Sequence, residues 1–123
     1  MHPSSESSRQ FLHINVLDFL QQSTAGKVLW AHQTEDLNIN LVYLDAGASI
    51  DRHHNNEVDV LILVIQGEGK VEIDDAEISI RSGDLLVIPK AAQRSIAATK
   101  TNLLYVTCHR RRHGLMPTIR DRH

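Results

Sequence analysis

Residues 47–89 have the sequence GASIDRHHNNEVDVLILVIQGEGKVEIDDAEISIRSGDLLVIP, and this stretch decides the fold. It contains the densest apolar run of the chain, the clearest alternation of apolar and polar residues, and a cluster of side chains able to bind a metal ion. In the segment KVEIDDAEISI, apolar and polar residues alternate on both sides of a turn, which predicts a β-hairpin with one face exposed to solvent. This stretch therefore predicts short strands separated by turns.

The segment at residues 60–65, VLILVI, is apolar at every position. A strand with one solvated face would carry polar side chains at every second position. We therefore expect the outer face of this strand to be covered, either by a second subunit or by a short helix predicted at residues 15–22. Of these two interpretations we favour the second subunit, that is, a homodimer.

Further strands are predicted on both sides of this stretch, at KVLWAHQ and INLVYLDAG before it and at RSIAA and TNLLYVTCHR after it. In the earliest of them, a period of two places Val28 and Trp30 on the same face. Residues 1–10 are polar and Ser-rich, which predicts a disordered arm, and residues 113–123 predict an irregular basic tail. Eight or nine short strands with at most one helix over residues 11–112 predict an all-β sandwich or closed barrel.

Composition narrows the cellular setting and the class of partner. The chain has 123 residues, which indicates one domain, and a single cysteine, which cannot form an internal disulfide. The N-terminus lacks a secretory apolar core and no apolar run is long enough to cross a bilayer, so we expect a cytoplasmic protein without a membrane contact. Few aromatic residues disfavour a nucleic-acid partner.

The C-terminal third is strongly basic, with 8 Lys or Arg against one Asp from residue 90 onward, whereas residues 1–89 have 5 basic and 14 acidic side chains. Acidic and basic segments of one chain often pair with each other, either within a subunit or across a dimer. Cys108 and His109 are neighbours on one strand and point to opposite faces, so they are poor catalytic partners. His109 is either a fourth contributor to the metal-binding cluster or a surface residue beside the arginine run, and we favour the surface.

The order of these features resembles a small single-domain cupin, the double-stranded β-helix version of the jelly roll. The first motif of that family is Gly, five residues, His-x-His, three or four residues, Glu, six residues, Gly, and Gly47, His53 and Gly67 stand at its spacing. The second is Gly, five residues, Pro-x-Gly, two residues, His, and Gly83 and Pro89 stand at its spacing. The resemblance covers about residues 38–110 and implies an all-β cupin barrel with a short N-terminal helix. The chain is also similar to a subgroup of small bacterial cupins with no assigned activity.

The metal centre that the resemblance implies uses three His and one Glu, and only His53 of these positions matches. Asn55, Val60 and Arg94 occupy the other three positions, and Ala91 replaces the Gly of the second motif. The usual cupin metal centre is therefore not supported by this sequence.

The replacement residues still offer ligands. His53, Asn55, Glu57 and Asp59 share one parity in an extended strand. An inward Val60 would place Asp59 on the outer face, unless the turn-like pair Asn55–Asn56 changes the register. Imidazole with carboxylate oxygens suits Zn²⁺, Fe²⁺, Ni²⁺ or Mn²⁺, so His53, Glu57 and Asp59 form a candidate divalent-metal site. The fixed charge of Arg94 would repel such an ion. Arg94 either points outward, pairs with Glu57 or Asp59, or receives a carboxylate or phosphate of a ligand.

Three functions follow, and the fold alone does not choose among them. The first is a binding module that holds a small anionic molecule near His53, Asn55 and Arg94, with His53 and Arg94 lining a pocket at the barrel mouth. The second is a metal-dependent oxygenase or isomerase that uses His53 with Glu57 or Asp59. The third is a regulatory dimer in which the cluster is an ion-pair network. We favour binding, and the sequence establishes no enzymatic activity.

Overall fold

The computed structural model describes residues 9–21 and 27–112. Within these residues one 3₁₀ helix, Val16–Gln21, precedes nine strands. The strands are β1 Val28–Gln33, β2 Leu37–Leu44, β3 Ser49–His53, β4 Val60–Gln66, β5 Glu68–Ile73, β6 Ala76–Arg81, β7 Leu85–Ile88, β8 Arg94–Ala98 and β9 Leu103–Arg110. The all-β prediction is confirmed.

The strands form two antiparallel sheets. One has the order β1-β2-β9-β4-β7 and the other has the order β3-β8-β5-β6. Strands that are distant in sequence are therefore neighbours in space, as in a jelly roll. This arrangement brings the end of β3, the start of β4, the start of β8 and the end of β9 to one end of the sandwich.

The core lies between the two sheets. On β4, Val60, Ile62 and Val64 point inward and are buried. From the other sheet, Val71 on β5 and Ile96 on β8 are buried opposite each other in register. Because apolar side chains alternate inward along each strand, both sheets contribute to one core.

The outer face of β4 is not covered within the residues that the structure describes. Leu61 and Leu63 are 38% and 37% exposed, and their partners on β7, Val87 and Leu85, are both 61% exposed. The 3₁₀ helix packs elsewhere, with the ring of Phe19 6.0 Å from the ring of Trp30 on β1. The prediction that this helix covers β4 is therefore wrong.

The N-terminal helix begins close to its predicted start but is shorter and tighter than a regular α-helix. Asn15 accepts a hydrogen bond from the backbone N–H of Leu17 through its Oδ1, at 2.9 Å. Its carbonyl oxygen accepts a second from Asp18, at 3.0 Å. Asn15 therefore caps the helix, as its residue type predicts.

A β-bulge corrects the predicted faces of β1. Val28 pairs with Val42 and Trp30 pairs with Leu41, so the register shifts by one residue between Val28 and Trp30. Val28 consequently faces the space between the sheets, whereas Trp30 lies on the outer face against Phe19. The extra residue of a bulge reverses the alternation that a regular strand would keep.

The QGEG segment at residues 66–69 is a corner between the two sheets and not a hairpin turn, because β4 and β5 pair with different strands. Gly67 has φ +98°, and an added Cβ would collide with the backbone carbonyl oxygen of Asn102. Only glycine fits at this corner.

The one helix of the described residues, Val16–Gln21, is not long and apolar enough to cross a membrane. The predicted arm at residues 1–10 lies outside the described residues except for Arg9 and Gln10, and the predicted tail at residues 113–123 lies wholly outside them.

Candidate functional site

A cavity of about 290 Å³ lies between the sheets and reaches the end of the sandwich where β3 ends and β8 begins. Half of its lining residues are aliphatic: Val28, Val42, Ile50, Val60, Ile62, Val71, Ile88 and Ile96. The other half are polar or basic: Asn40, His53, Arg94, Ser95, Tyr105, Thr107, His109 and Arg112. No Asp or Glu is among these lining residues.

His53 and Arg94 lie side by side at the mouth of this cavity. They are register partners, at the last residue of β3 and the first of β8. The Nε of Arg94 donates a hydrogen bond to the Nε2 of His53 at 3.2 Å. The other ring nitrogen, Nδ1, lies 2.9 Å from the carbonyl oxygen of Asp51. An Nε2 that accepts and an Nδ1 that faces a carbonyl are consistent with a neutral imidazole protonated on Nδ1.

The guanidinium of Arg94 is only partly satisfied. Its Nη1 is buried and has no hydrogen-bond partner among the described residues. No described carboxylate forms an ion pair with it, so the predicted pairing with Glu57 or Asp59 is not present. Burial lowers the pKa of Arg94, and the charge of Arg112 lowers that pKa further, against an opposing contribution from Tyr105. Buried polar groups are normally hydrogen-bonded, so Nη1 marks a place for an acceptor.

Tyr105 lies deeper in the cavity, on the inner face of β9. Its side chain is buried, and burial raises the pKa of its phenol above the usual value of 10.0, although the nearby charge of Arg94 opposes this shift. The hydroxyl therefore keeps its proton at neutral pH and can donate it in a hydrogen bond.

Asn55, which was predicted to bind the ligand, is not among the residues that line the cavity. Its Oδ1 accepts hydrogen bonds from the backbone N–H groups of Glu57 and Val58, at 3.0 and 2.9 Å. Its carbonyl oxygen accepts another from Ala91, at 2.6 Å. In these contacts Asn55 shapes the loop before β4 and ties it to the turn after β7.

Glu57 and Asp59 are exposed and do not line the cavity with His53. The Oε1 of Glu57 lies 3.9 Å from the Nε of Arg112. The Oδ1 of Asp59 accepts a hydrogen bond from the backbone N–H of Lys90 at 2.9 Å. The parity argument fails here because residues 54–59 form a loop and not an extension of β3.

The donor set does not fit a divalent metal. Across residues 9–21 and 27–112, no three His, Cys, Asp or Glu side chains converge closely enough to hold an ion. His53 already contacts the cation of Arg94 through Nε2 and a carbonyl oxygen through Nδ1. A fixed positive charge at hydrogen-bond distance from the first ligand also opposes metal binding.

Five polar cavity residues were not predicted from the sequence: Asn40, Ser95, Tyr105, Thr107 and Arg112. His109 was expected on the surface, and this expectation is wrong: it is half-buried and lines the cavity. The missed signal was the alternation along β9, since residues 105, 107 and 109 share the inward parity of buried Leu103.

Ala91 occupies the Gly position of the second motif and adopts the backbone conformation of a glycine, with φ +74°. A left-handed φ is strained for a residue with a Cβ. The turn between β7 and β8, which delivers Arg94 to the cavity, therefore has at residue 91 a backbone conformation that favours glycine.

Comparison with known proteins is consistent with this geometry. A family model described as the cupin domain matches residues 40–108. No curated protein sequence is similar enough to match.

Several solved structures share the fold. KdgF from Halomonas sp. is 26% identical, with a TM-score of 0.62 over 69% of this chain and 78% of that chain. A protein from Bacillus halodurans is 18% identical, with a TM-score of 0.72 over 90% of this chain and 88% of that chain. A predicted oxalate decarboxylase from Thermotoga maritima is 19% identical, with a TM-score of 0.58 over 62% of this chain and 67% of that chain.

Proposed function

We propose that this chain, which belongs to the cupin domain family, binds a small anionic molecule at the mouth of its barrel. The observation that carries the proposal is the buried Nη1 of Arg94, which has no acceptor among the described residues. Leaving a buried charged donor unpaired is costly, typically by about 1–3 kcal/mol or more. A carboxylate or phosphate oxygen in the cavity would remove that cost.

The charge of the lining supports an anion over a cation or a neutral molecule. Two arginines, Arg94 and Arg112, line the cavity, and no carboxylate does. His53 holds Arg94 in place through Nε, which leaves the two terminal nitrogens to meet a ligand. A planar guanidinium is well suited to carboxylate and phosphate oxygens because it presents parallel N–H groups.

A metal-dependent oxygenase or isomerase remains the second candidate because the family fold supports many reactions. The neighbours in fold range from KdgF to a predicted oxalate decarboxylase, so the fold does not select a reaction. No specific contact among the described residues favours the metal-dependent candidate, since Glu57 and Asp59 are engaged elsewhere. We therefore place binding first.

Thermal unfolding of the full chain with single anions tests the proposal. A ligand that binds only the folded state raises the melting temperature with its concentration. We expect a short carboxylate such as butyrate to raise the melting temperature of the wild type. The shift should disappear in Arg94→Gln and persist in Arg81→Gln, a matched change at an exposed arginine outside the cavity.

Two outcomes would contradict anion binding at Arg94. Equal shifts in the wild type and Arg94→Gln would indicate a general salt effect. Stoichiometric metal in protein purified without chelator, lost in His53→Ala, would favour the metal-dependent enzyme instead.

A further inference from the structure

We infer that the ligand of this cavity is a monocarboxylate with a compact apolar tail, its carboxylate at Arg94 and its tail against the aliphatic floor. This inference rests on the proposed anion binding and narrows it to one chemical class. Three properties of the cavity carry it: the number of uncompensated charges, the distribution of polar groups along its depth, and its volume.

The charge count favours one negative charge on the ligand. Of the two arginines in the lining, Arg112 has a carboxylate 3.9 Å away on Glu57, outside the cavity. Arg94 has no carboxylate partner in the described part of the chain. One uncompensated guanidinium matches one carboxylate, and a dianion would bring a second charge into a partly desolvated space without a partner.

The basic groups of the lining stand at the mouth, whereas the neutral side chains of Thr107 and Tyr105 lie deeper along β9. His53 and Arg94 stand at the end of β3 and the start of β8, and His109 is opposite Val60 at the start of β4. One step deeper, the register pairs bring aliphatic residues from both sheets into the cavity, with Ile62 on one sheet and Val71 and Ile96 on the other. A ligand that fills this space must be charged at one end and apolar at the other.

Most of the neutral polar groups in the lining are engaged with other protein groups, Ser95 with Glu72 at 3.3 Å among them, and the hydroxyl of Tyr105 is the donor that can still meet a ligand; one such donor does not favour a polyhydroxylated ligand. Nδ2 of Asn40 lies 3.5 Å from Oγ1 of Thr107, so these two side chains contact each other across β2 and β9. Both ring nitrogens of His53 are also engaged. A sugar acid would bury hydroxyl groups against an aliphatic floor, and each hydroxyl without a partner costs free energy.

The volume sets the size of the tail. About 290 Å³ lies at the lower limit of known ligand cavities. At roughly 30 Å³ for each water-sized group, the cavity holds about ten such groups. A carboxylate with a short aliphatic chain or a single aromatic ring has this size.

Isothermal titration calorimetry of the full chain tests the inference with acetate, butyrate and hexanoate. The polar probes are succinate, gluconate and inorganic phosphate, and hexanamide is the uncharged analogue. We expect the affinity to rise about fourfold with each added methylene from acetate to hexanoate. Arg94→Met should weaken hexanoate binding at least about tenfold. Arg94→Lys should weaken it less, because the charge remains and the paired N–H groups are lost.

Arg81→Met is the matched control, because Arg81 is exposed on β6 and outside the cavity, and we expect it to bind hexanoate as the wild type does. Succinate, gluconate or phosphate binding more tightly than hexanoate, with loss in Arg94→Met, would overturn the monocarboxylate and leave anion binding standing. Hexanamide binding as tightly as hexanoate, or no binding by any anion, would overturn both.

Discussion

At the residue scale, one contact places an arginine, held by His53, at the position where a cupin carries a metal-binding histidine. Motif spacing was sufficient to predict that residue 94 stands where a cupin carries a histidine. It could not predict that Nε of Arg94 would donate to Nε2 of His53, because that contact depends on the register of β3 and β8. The sequence therefore predicted that His53 and Arg94 line a pocket, which they do, and left their hydrogen-bond partners open.

Tyr105 gives a prediction at the same scale. Because burial raises the pKa of its phenol, the folded state retains a proton that the unfolded chain loses above pH 10.0. The stabilisation is fully present below this pH and is lost as the pH rises above it. We expect the free energy of unfolding to fall by up to about 1.4 kcal/mol per pH unit from this group.

Urea unfolding at a series of alkaline pH values measures this effect as a difference between the wild type and Tyr105→Phe. Other groups ionise in the same range, and the difference between the two proteins removes their contribution. Parallel curves above pH 10.0 would show that Tyr105 ionises as readily in the folded as in the unfolded chain.

At the scale of single elements, the alternation of apolar and polar residues predicted the positions of the strands well. It predicted less well on which face of the sheet each side chain lies. The hairpin of β5 and β6 was confirmed because its turn and its alternation agree. The bulge in β1 was missed because its extra residue is set by pairing with β2, which local sequence does not encode. The turn-like pair Asn55–Asn56 indicated a register change, but the loop at residues 54–59 depends on contacts of Asn55 with Val58 and Ala91, which local sequence does not encode.

The turn after β7 provides a prediction for an element. Ala91 has φ +74°, and a left-handed backbone costs a residue with a Cβ about 1–2 kcal/mol. Glycine removes this strain and loses about 0.5–1 kcal/mol of that gain through the entropy of the unfolded chain. We expect Ala91→Gly to raise the free energy of unfolding by about 0.5–1 kcal/mol, measured by urea unfolding at neutral pH.

Ala31→Gly is the matched control for this turn. Ala31 is exposed on β1 and pairs with Asn40, and it is not among the residues of positive φ. Glycine there should lower the free energy of unfolding by about 0.5–1 kcal/mol. Destabilisation by both substitutions would show that the backbone at residue 91 is not strained.

At the scale of the whole molecule, the two sheets use their faces differently. Their inner faces enclose the core and the cavity, whereas the outer face of β4 and β7 presents aliphatic side chains to solvent. The sequence predicted that residues 60–65 would be apolar on both sides and named two covers for the outer side. Since the 3₁₀ helix packs against Trp30, a second copy of the chain is the remaining candidate to cover the outer face of β4.

We predict that the chain forms a homodimer through this outer face. The patch formed by Leu61, Leu63, Leu85 and Val87 is apolar throughout, and its register pairs align Leu61 with Val87 and Leu63 with Leu85. Such a patch can meet its own copy across a two-fold axis without opposing charges. Leaving it in water costs free energy in proportion to its apolar area.

Light scattering coupled to size-exclusion chromatography tests the dimer. The wild type should have twice the mass of one chain, and Val87→Glu should have the mass of a monomer because a carboxylate buried without a partner destabilises the interface. Leu37→Glu is a comparable change at another partly exposed aliphatic residue outside the patch and should remain dimeric. A monomeric wild type would mean that the apolar face of β4 and β7 is not an interface between copies. Equal dissociation by both variants would place the interface elsewhere on the molecule.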